Sequence, residues 1–174
     1  MLLGEQPFHE VTVSAIMGRT TLSRKSFYVY FDDRYELLTA LVAPLRAQLD
    51  EANALWLGAD GDPADRGRAA LQAVARILAD RGALVRALAD AARYDERAAR
   101  LWHEFNEPVI ARVAAAIRED APELADPERV ARALVGMNLY CLFDQVVGND
   151  GADIERIVDA LLTVWLRTVY PGPR

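Results

Sequence analysis

Five aromatic side chains, Phe27, Tyr28, Tyr30, Phe31 and Tyr35, crowd into nine consecutive positions beside Arg24, Lys25 and Arg34. Whatever this chain folds into must bury part of that cluster and find a use for the rest. Read as a helix, Ser23 becomes a side-chain N-cap, and Phe27 and Phe31 fall one turn apart on a face that has to be buried. Lys25, Tyr28 and Val29 then share a second face that is basic, aromatic and compact. Such a face suits a helix in a DNA major groove, where Lys or Arg meets guanine edges and phosphates and apolar groups meet thymine methyls. The same spacing also fits an ordinary amphipathic turn with two solvent-facing cations.

The residues upstream bear on that choice. Thr12-Val13-Ser14-Ala15-Ile16-Met17 opens with a cap residue and sets Ile16 at helical spacing from Val13, and Thr20-Thr21-Leu22-Ser23 breaks the helix with a short polar turn. The pattern is helix, short turn, helix. Thr12, Ile16, Leu22, Ser23, Phe27, Tyr28, Tyr30, Phe31, Arg34 and Leu37 stand in an order and spacing that resembles the TetR family of bacterial one-component repressors, most specifically in Tyr28-Val29-Tyr30-Phe31 with a basic residue three places on. The resemblance implies double-stranded operator DNA as partner. It places Ser23, Arg24, Lys25, Ser26, Tyr28 and Val29 in the recognition helix, and Thr12, Tyr30 and Arg34 at phosphates.

Three departures stand out. Thr21 takes a turn position where the family usually has Gly, and a β-branched residue kept in the left-handed conformation there would be strained by roughly 1 to 2 kcal/mol. Lys25 stands where many members have a small residue. The family's first helix should precede this unit, yet only Met1-Leu2-Leu3-Gly4-Glu5 stands before the Pro7-Phe8 loop, so that helix is expected to be largely missing from this sequence.

A formal net charge of -6 runs against the basic footprint of a DNA-binding protein. Division at Arg46 resolves part of the conflict. Residues 1–46 hold five cations and five carboxylates, so the whole surplus of negative charge lies beyond them. An acidic remainder would repel DNA and confine contact to the cationic face. The expected organisation is therefore a helix-turn-helix DNA-binding unit over 1–46 and a helical regulatory, ligand-binding and dimerisation domain over 47–174.

The rest of the chain reads as all-α, with no strand alternation, internal repeat or low-complexity tract. A long helix is expected from Asp32 and Asp33 through Leu57, with Leu37, Leu38, Leu41, Leu45, Leu49 and Leu55 on its buried side and a bend at Pro44. A turn over 58–63 leads, with Asp62 as cap, into a helix to about Asp80. Arg81-Gly82 should end it, and a short apolar helix should follow to Tyr94. Asp95 caps the next segment, bent at Pro108, and the loop around Pro122 precedes two long helices, about 127–147 and 152–170. With the missing first helix restored, about nine helices are expected.

Those last two helices are apolar on more than one face, which marks helices either deep in a core or shared with a partner. A body of this size cannot bury both, so a homodimer through a four-helix bundle is expected, and the family resemblance implies the same. From about residue 80 to 171 the chain further resembles a narrower group within the family, that of the mycobacterial repressor of ethionamide activation. The matching pieces are Leu101-Trp102 with Phe105, Ala133-Leu134 with Met137-Asn138, Leu142-Phe143, and Trp165 with Tyr170-Pro171. In that group an apolar tunnel takes a hydrophobic small-molecule effector. The resemblance places Val74, Leu78, Trp102, Phe105, Val109, Asn138, Phe143 and Trp165 along it, and Val109 in place of an aromatic residue implies a different or wider tunnel. Apolar and aromatic walls with an occasional oriented amide suit such a pocket, although each aromatic residue would equally serve as core.

Nothing in the chain suggests catalysis. His9 and His103 are far apart in sequence and lack ligand-spaced neighbours, no glycine loop suits phosphate, and Gly148-Asn149-Asp150-Gly151 reads as a helix-joining turn rather than a calcium loop. No catalytic residue, metal site or cofactor is expected. Cys141 is the single cysteine, which excludes an intrachain disulfide and makes the cytoplasm the expected compartment. No stretch has the length and apolarity of a membrane helix. The alternative to a repressor is a helical ligand-binding or partner-binding dimer without specific DNA binding.

Overall fold

The computed structural model describes Gln6 and residues 8–56 and 61–170. Among these, a 3₁₀ turn at Phe8–Glu10 precedes seven α-helices, and there is no strand: α1 Val13–Met17, α2 Arg24–Tyr30, α3 Arg34–Ala54, α4 Pro63–Ala91, α5 Glu96–Asp120, α6 Pro127–Gln145 and α7 Ile154–Val169. The all-α expectation is met. The expected first helix falls on Met1–Glu5, outside the described residues, as do Leu57 and residues 58–60 of the 58–63 turn.

Helix starts follow the caps read from the sequence. The side chains of Thr12 and Ser23 accept from the N–H groups of Ala15 and Ser26, Asp62 from Ala64 and Asp65, and Asp95 from Arg97 and Ala98. Asp126 and Asp153 cap α6 and α7 in the same way. Each side chain satisfies a backbone donor that the first turn of a helix leaves free.

The chain forms two compact units. One contains residues up to Arg46 together with Ala83–Phe105; the other contains Ala47–Gly82 and the chain from Asn106 onward. The first unit buries Phe8, Val11, Met17, Phe27, Leu38, Val42 and Leu45, with Val85, Leu88 and Ala98 from the α4–α5 corner. In the second, Leu71, Leu78, Ile110, Val113, Ile117, Leu142 and Val146 are buried together with the α7 stripe Ile157, Val158, Leu161, Leu162, Trp165 and Val169. That stripe places six buried residues of α7 at helical spacing, and it makes α7 strongly amphipathic.

Three expectations about the helices need correction. α3 buries Leu38, Val42, Leu45, Leu49 and Ala52, a stripe advancing by four and three residues, and this leaves Leu41 on the exposed side; the helix ends at Ala54 rather than running on toward Leu57, and Leu55 stands exposed in the turn beyond it. α4 does not end at Arg81-Gly82 but runs unbroken for 29 residues. Glycine there is required by packing: a Cβ at Gly82 would stand 2.5 Å from Cγ2 of Val147, so only a residue without a side chain admits that approach. Thr21 is not strained, since no described non-glycine residue has a positive φ. The turn is built by Thr20, whose hydroxyl donates to the Met17 carbonyl and accepts from the Leu22 N–H, both at 3.1 Å. The joining turn before α7 is as expected, with Gly148 at φ +79° and Asn149 accepting from Gly151.

Candidate nucleic-acid interface and effector wall

α1 and α2 pack on each other across the Thr20 turn. Phe27 anchors α2 as its single buried residue, edge-on to Tyr28 at 5.4 Å and tilted against Phe31 at 5.5 Å. With Phe27 inside, the opposite face of α2 must face solvent. Lys25, Tyr28, Val29 and Tyr30 are all exposed, Val29 at 70% and Tyr30 at 73%. Leaving apolar area of this kind in water forgoes about 25 cal/mol for every Å² that burial would have recovered, so the face is one that folding alone does not explain. Arg24 lies over the Tyr28 ring, 6.0 Å from its centroid. Ser23 and Ser26 share a hydroxyl contact of 3.0 Å at the cap. Leu22 joins the same exposed surface, and no periodicity in the sequence could have assigned it, because it sits in a turn.

The start of α3 is fastened by charge. Arg34 Nη1 donates toward the carbonyls of Val11 at 2.7 Å, His9 at 2.9 Å and Phe8 at 3.3 Å. Its guanidinium packs against the edge-to-face pair of Phe8 and Tyr35 rings. The Tyr35 hydroxyl donates to Asp95, and Arg97 reaches back to Asp33 at 2.6 Å while lying over the Tyr35 ring. Asp33 itself accepts from the N–H groups of Tyr35 and Glu36, so one carboxylate caps α3 and pairs with α5. Burial works to raise the Asp33 pKa, but the Arg97 hydrogen bond and the two backbone donors outweigh it and hold the carboxyl below its usual range. The Tyr35 hydroxyl, followed by the Ala98 N–H, holds Asp95 low, and burial with Asp95 beside it pushes Tyr35 up. Arg46 closes the same unit by donating to the Glu104 carbonyl at 2.8 Å. Sequence reasoning read Asp95 as a cap and Tyr35 as one of the aromatic cluster but missed the ties of Tyr35 to Asp95 and of Arg97 to Asp33, whose partners lie about sixty positions apart in the chain.

The eight residues placed on the effector wall divide between the units. Trp102 and Phe105 belong to the first, where their rings stack with centroids 6.1 Å apart. In the second, Leu78 and Trp165 are buried, while Val74, Val109, Asn138 and Phe143 are half-buried. The Trp165 indole N–H donates to Asn138 Oδ1 at 3.0 Å, which gives that amide a structural partner. Trp56, which the sequence did not single out, packs edge-on against Trp165 at 4.1 Å. Tyr170 donates to Asp120 and receives a hydrogen bond from Trp56; burial, then Asp120, raises its pKa.

Two family profiles cover this architecture. "Bacterial regulatory proteins, tetR family" matches residues 1–41, and "Transcriptional regulator EthR, C-terminal domain" matches residues 67–171. The chain belongs to the TetR family of bacterial regulators. Among curated TetR-family relatives, the HTH-type transcriptional regulator EthR of Mycobacterium tuberculosis is 28% identical over 97% of this chain and 82% of its own. EthR of Mycolicibacterium smegmatis is 24% identical over 97% and 81%. Two solved TetR-family structures share the fold: PfmR from Thermus thermophilus, with a TM-score of 0.75 at 16% identity over 99% of this chain and 95% of that one, and a putative regulator from Syntrophomonas wolfei, with a TM-score of 0.77 at 14% identity over 97% and 89%. This TetR-family chain is a transcriptional regulator with a helix-turn-helix, and not an enzyme. No helix among the described residues is long and apolar enough to cross a membrane.

Proposed function

We propose that this chain is a cytoplasmic, ligand-responsive repressor that binds a palindromic operator as a homodimer, with residues 1–46 reading DNA and 47–174 regulating and dimerising. The observation that carries the reading is the exposed face of α2, basic and apolar together, on a helix fixed from behind by Phe27. Lys25 and Arg24 meet guanine edges or phosphates, Val29 and Tyr28 meet base edges and methyls, and Ser23, Ser26, Thr12 and Tyr30 lie along the backbone. The partner surface is the outer side of α6 and α7, supported by exposed Tyr140 at 72% and exposed Val164, Ala133 and Gly136. Paired in this way, two recognition helices can address successive turns of one duplex face.

The effector is a hydrophobic small molecule meeting Val74, Leu78, Val109, Asn138, Phe143 and Trp165, with Trp102 and Phe105 added on the resemblance alone. It acts by preferring one of two dimer states that differ in the spacing of the α2 helices. An effector with equal affinity for free and DNA-bound dimer would sink that mechanism. The reading as a whole is tested by titrating the full chain onto the DNA flanking its own gene and onto an unrelated duplex, over a range of salt. Tight, salt-steep and selective binding is expected. Equal or absent binding to both would leave the acidic chain as a ligand-binding or partner-binding dimer without specific DNA recognition.

A further inference from the structure

α1 has five residues, far short of the about 12 to 15 at which a helix becomes marginally stable alone, and Met17 is its single buried side chain. Its entry, the Phe8–Glu10 turn with Val11 and the cap Thr12, needs an external hold. Arg34 provides one. Nη1 carries two hydrogens, and the carbonyls of Val11, His9 and Phe8 at 2.7 to 3.3 Å already oversubscribe them. Nη2 stands 3.4 Å from the Tyr35 hydroxyl, which is itself tied to Asp95. The guanidinium carbon lies 5.0 Å from the Phe8 ring centroid and 5.3 Å from that of Tyr35, and the two rings meet edge to face at 5.3 Å, so the group sits against an aromatic pair.

We propose that Arg34 is a positioning residue for DNA recognition, one that fixes the entry to α1 and thereby the Thr12 cap and the α1–α2 pair, and that it neutralises no phosphate. A guanidinium held by the carbonyls of Phe8, His9 and Val11 and packed against the Phe8–Tyr35 ring pair would have to abandon those carbonyls to reach a duplex. Lysine cannot replace it, because a single ammonium on a flexible stem has neither the fork that spans several carbonyls nor the flat faces that stack on rings. This inference rests on the reading of residues 12–31 as a DNA interface, and it makes the opposite prediction for Arg34 from the one the family resemblance carries.

The test uses the full chain in three forms: unsubstituted, Arg34→Lys and Arg34→Gln. The first readout needs no DNA. Hydrogen exchange at the Ala15, Ile16 and Gly18 amides, which close α1 onto Thr12 and Ser14, is expected to quicken by about tenfold or more in both variants as α1 opens more often. Unchanged exchange in Arg34→Lys would overturn the proposal, whatever the DNA result. The second readout is the salt dependence of binding to a mixed-sequence duplex of about 30 base pairs. Both variants should bind about tenfold more weakly with the slope of log K against log salt unaltered, because no phosphate partner has been lost. A slope reduced by about 0.9 in Arg34→Gln and restored in Arg34→Lys would make Arg34 a phosphate contact and overturn the proposal, while leaving the repressor reading intact. Failure of the unsubstituted chain to bind any duplex would defeat the repressor reading instead, and the exchange measurement would still decide what Arg34 holds.

Discussion

In the unit that carries α1 and α2, the side chains that join distant stretches are charged or hydroxyl-bearing: Arg34 on the 8–11 carbonyls, Tyr35 on Asp95, Arg97 on Asp33 and Arg46 on Glu104. In the other unit apolar packing does more of the joining, with Trp56 against Trp165, Leu162 closing over Gly67, and Val147 against Gly82, beside the hydrogen bonds of Trp165 to Asn138 and Tyr170 to Asp120. That unit has ion pairs as well, such as Arg112 with Asp50 and Arg132 with Glu107, but they are exposed or half-exposed pairs of the kind worth about 0 to 1 kcal/mol. The difference follows from helix length. Two helices of five and seven residues cannot bury enough side chain to hold themselves, so the part-buried hydrogen bonds of Arg34 and Tyr35, of a kind worth about 1.5 to 3 kcal/mol to a charged group, supplement area. The exposed Arg97–Asp33 pair adds no more than the pairs of the other unit. A unit built this way leaves the apolar residues of α2 exposed, and it is the more sensitive of the two units to pH and to single polar substitutions.

The comparison is most exposed to Trp165→Ala. Removing a buried indole that packs on Trp56 and donates to Asn138 should cost about 3 to 5 kcal/mol in denaturant unfolding, and a loss under about 1 kcal/mol would show that the apolar unit does not depend on its aromatic centre. Next in size is Tyr35→Phe, which strips Asp95 of its hydroxyl donor. About 1 kcal/mol should be lost, with the Asp95 carboxyl moving up toward its usual range by NMR titration. Ser23→Ala removes the α2 cap and should cost a similar 1 kcal/mol or about that, felt as faster amide exchange at Ser26 while α6 and α7 stay protected.

The pH dependence sharpens the contrast further. Asp33 and Asp95 have folded pKa values below their unfolded ones, so the stability they contribute is present above the usual carboxylate range and is lost as pH falls through the depressed values. Acid unfolding followed by exchange should therefore open the α3 start before the Trp165 region, and Asp95→Asn should flatten that early phase. Smallest of all is Arg118→Ala. Its partner Glu128 is exposed like itself, and the substitution should fall within about 0.5 kcal/mol of no effect.

Features that depend on neighbours within four residues were legible in the chain. The caps at Thr12, Ser23, Asp62 and Asp95, the Phe27 anchor, the Gly148 turn and the helix-turn-helix itself all rest on hydrogen bonds or spacings inside one turn of helix. Residues whose meaning depends on a remote partner were not. Gly82 read as a helix break because its reason for being glycine is Val147, and Tyr35 read as one more aromatic because Asp95 lies 60 positions on. Leu41 read as core because hydrophobicity alone cannot choose between two adjacent stripes of one helix, and Leu55 because the sequence did not show that α3 ends at Ala54.

The order of residues was enough to make the chain helical, to start most of its helices, and to set a compact basic and aromatic helix after a short capped one. Packing chose which stripe of α3 is buried, carried α4 through Gly82, and committed Arg34 to the carbonyls of Phe8, His9 and Val11. The physical reason is range: caps and periodicity are interactions of the chain with its own next turn, whereas burial and long-range hydrogen bonds exist only after separate faces have met.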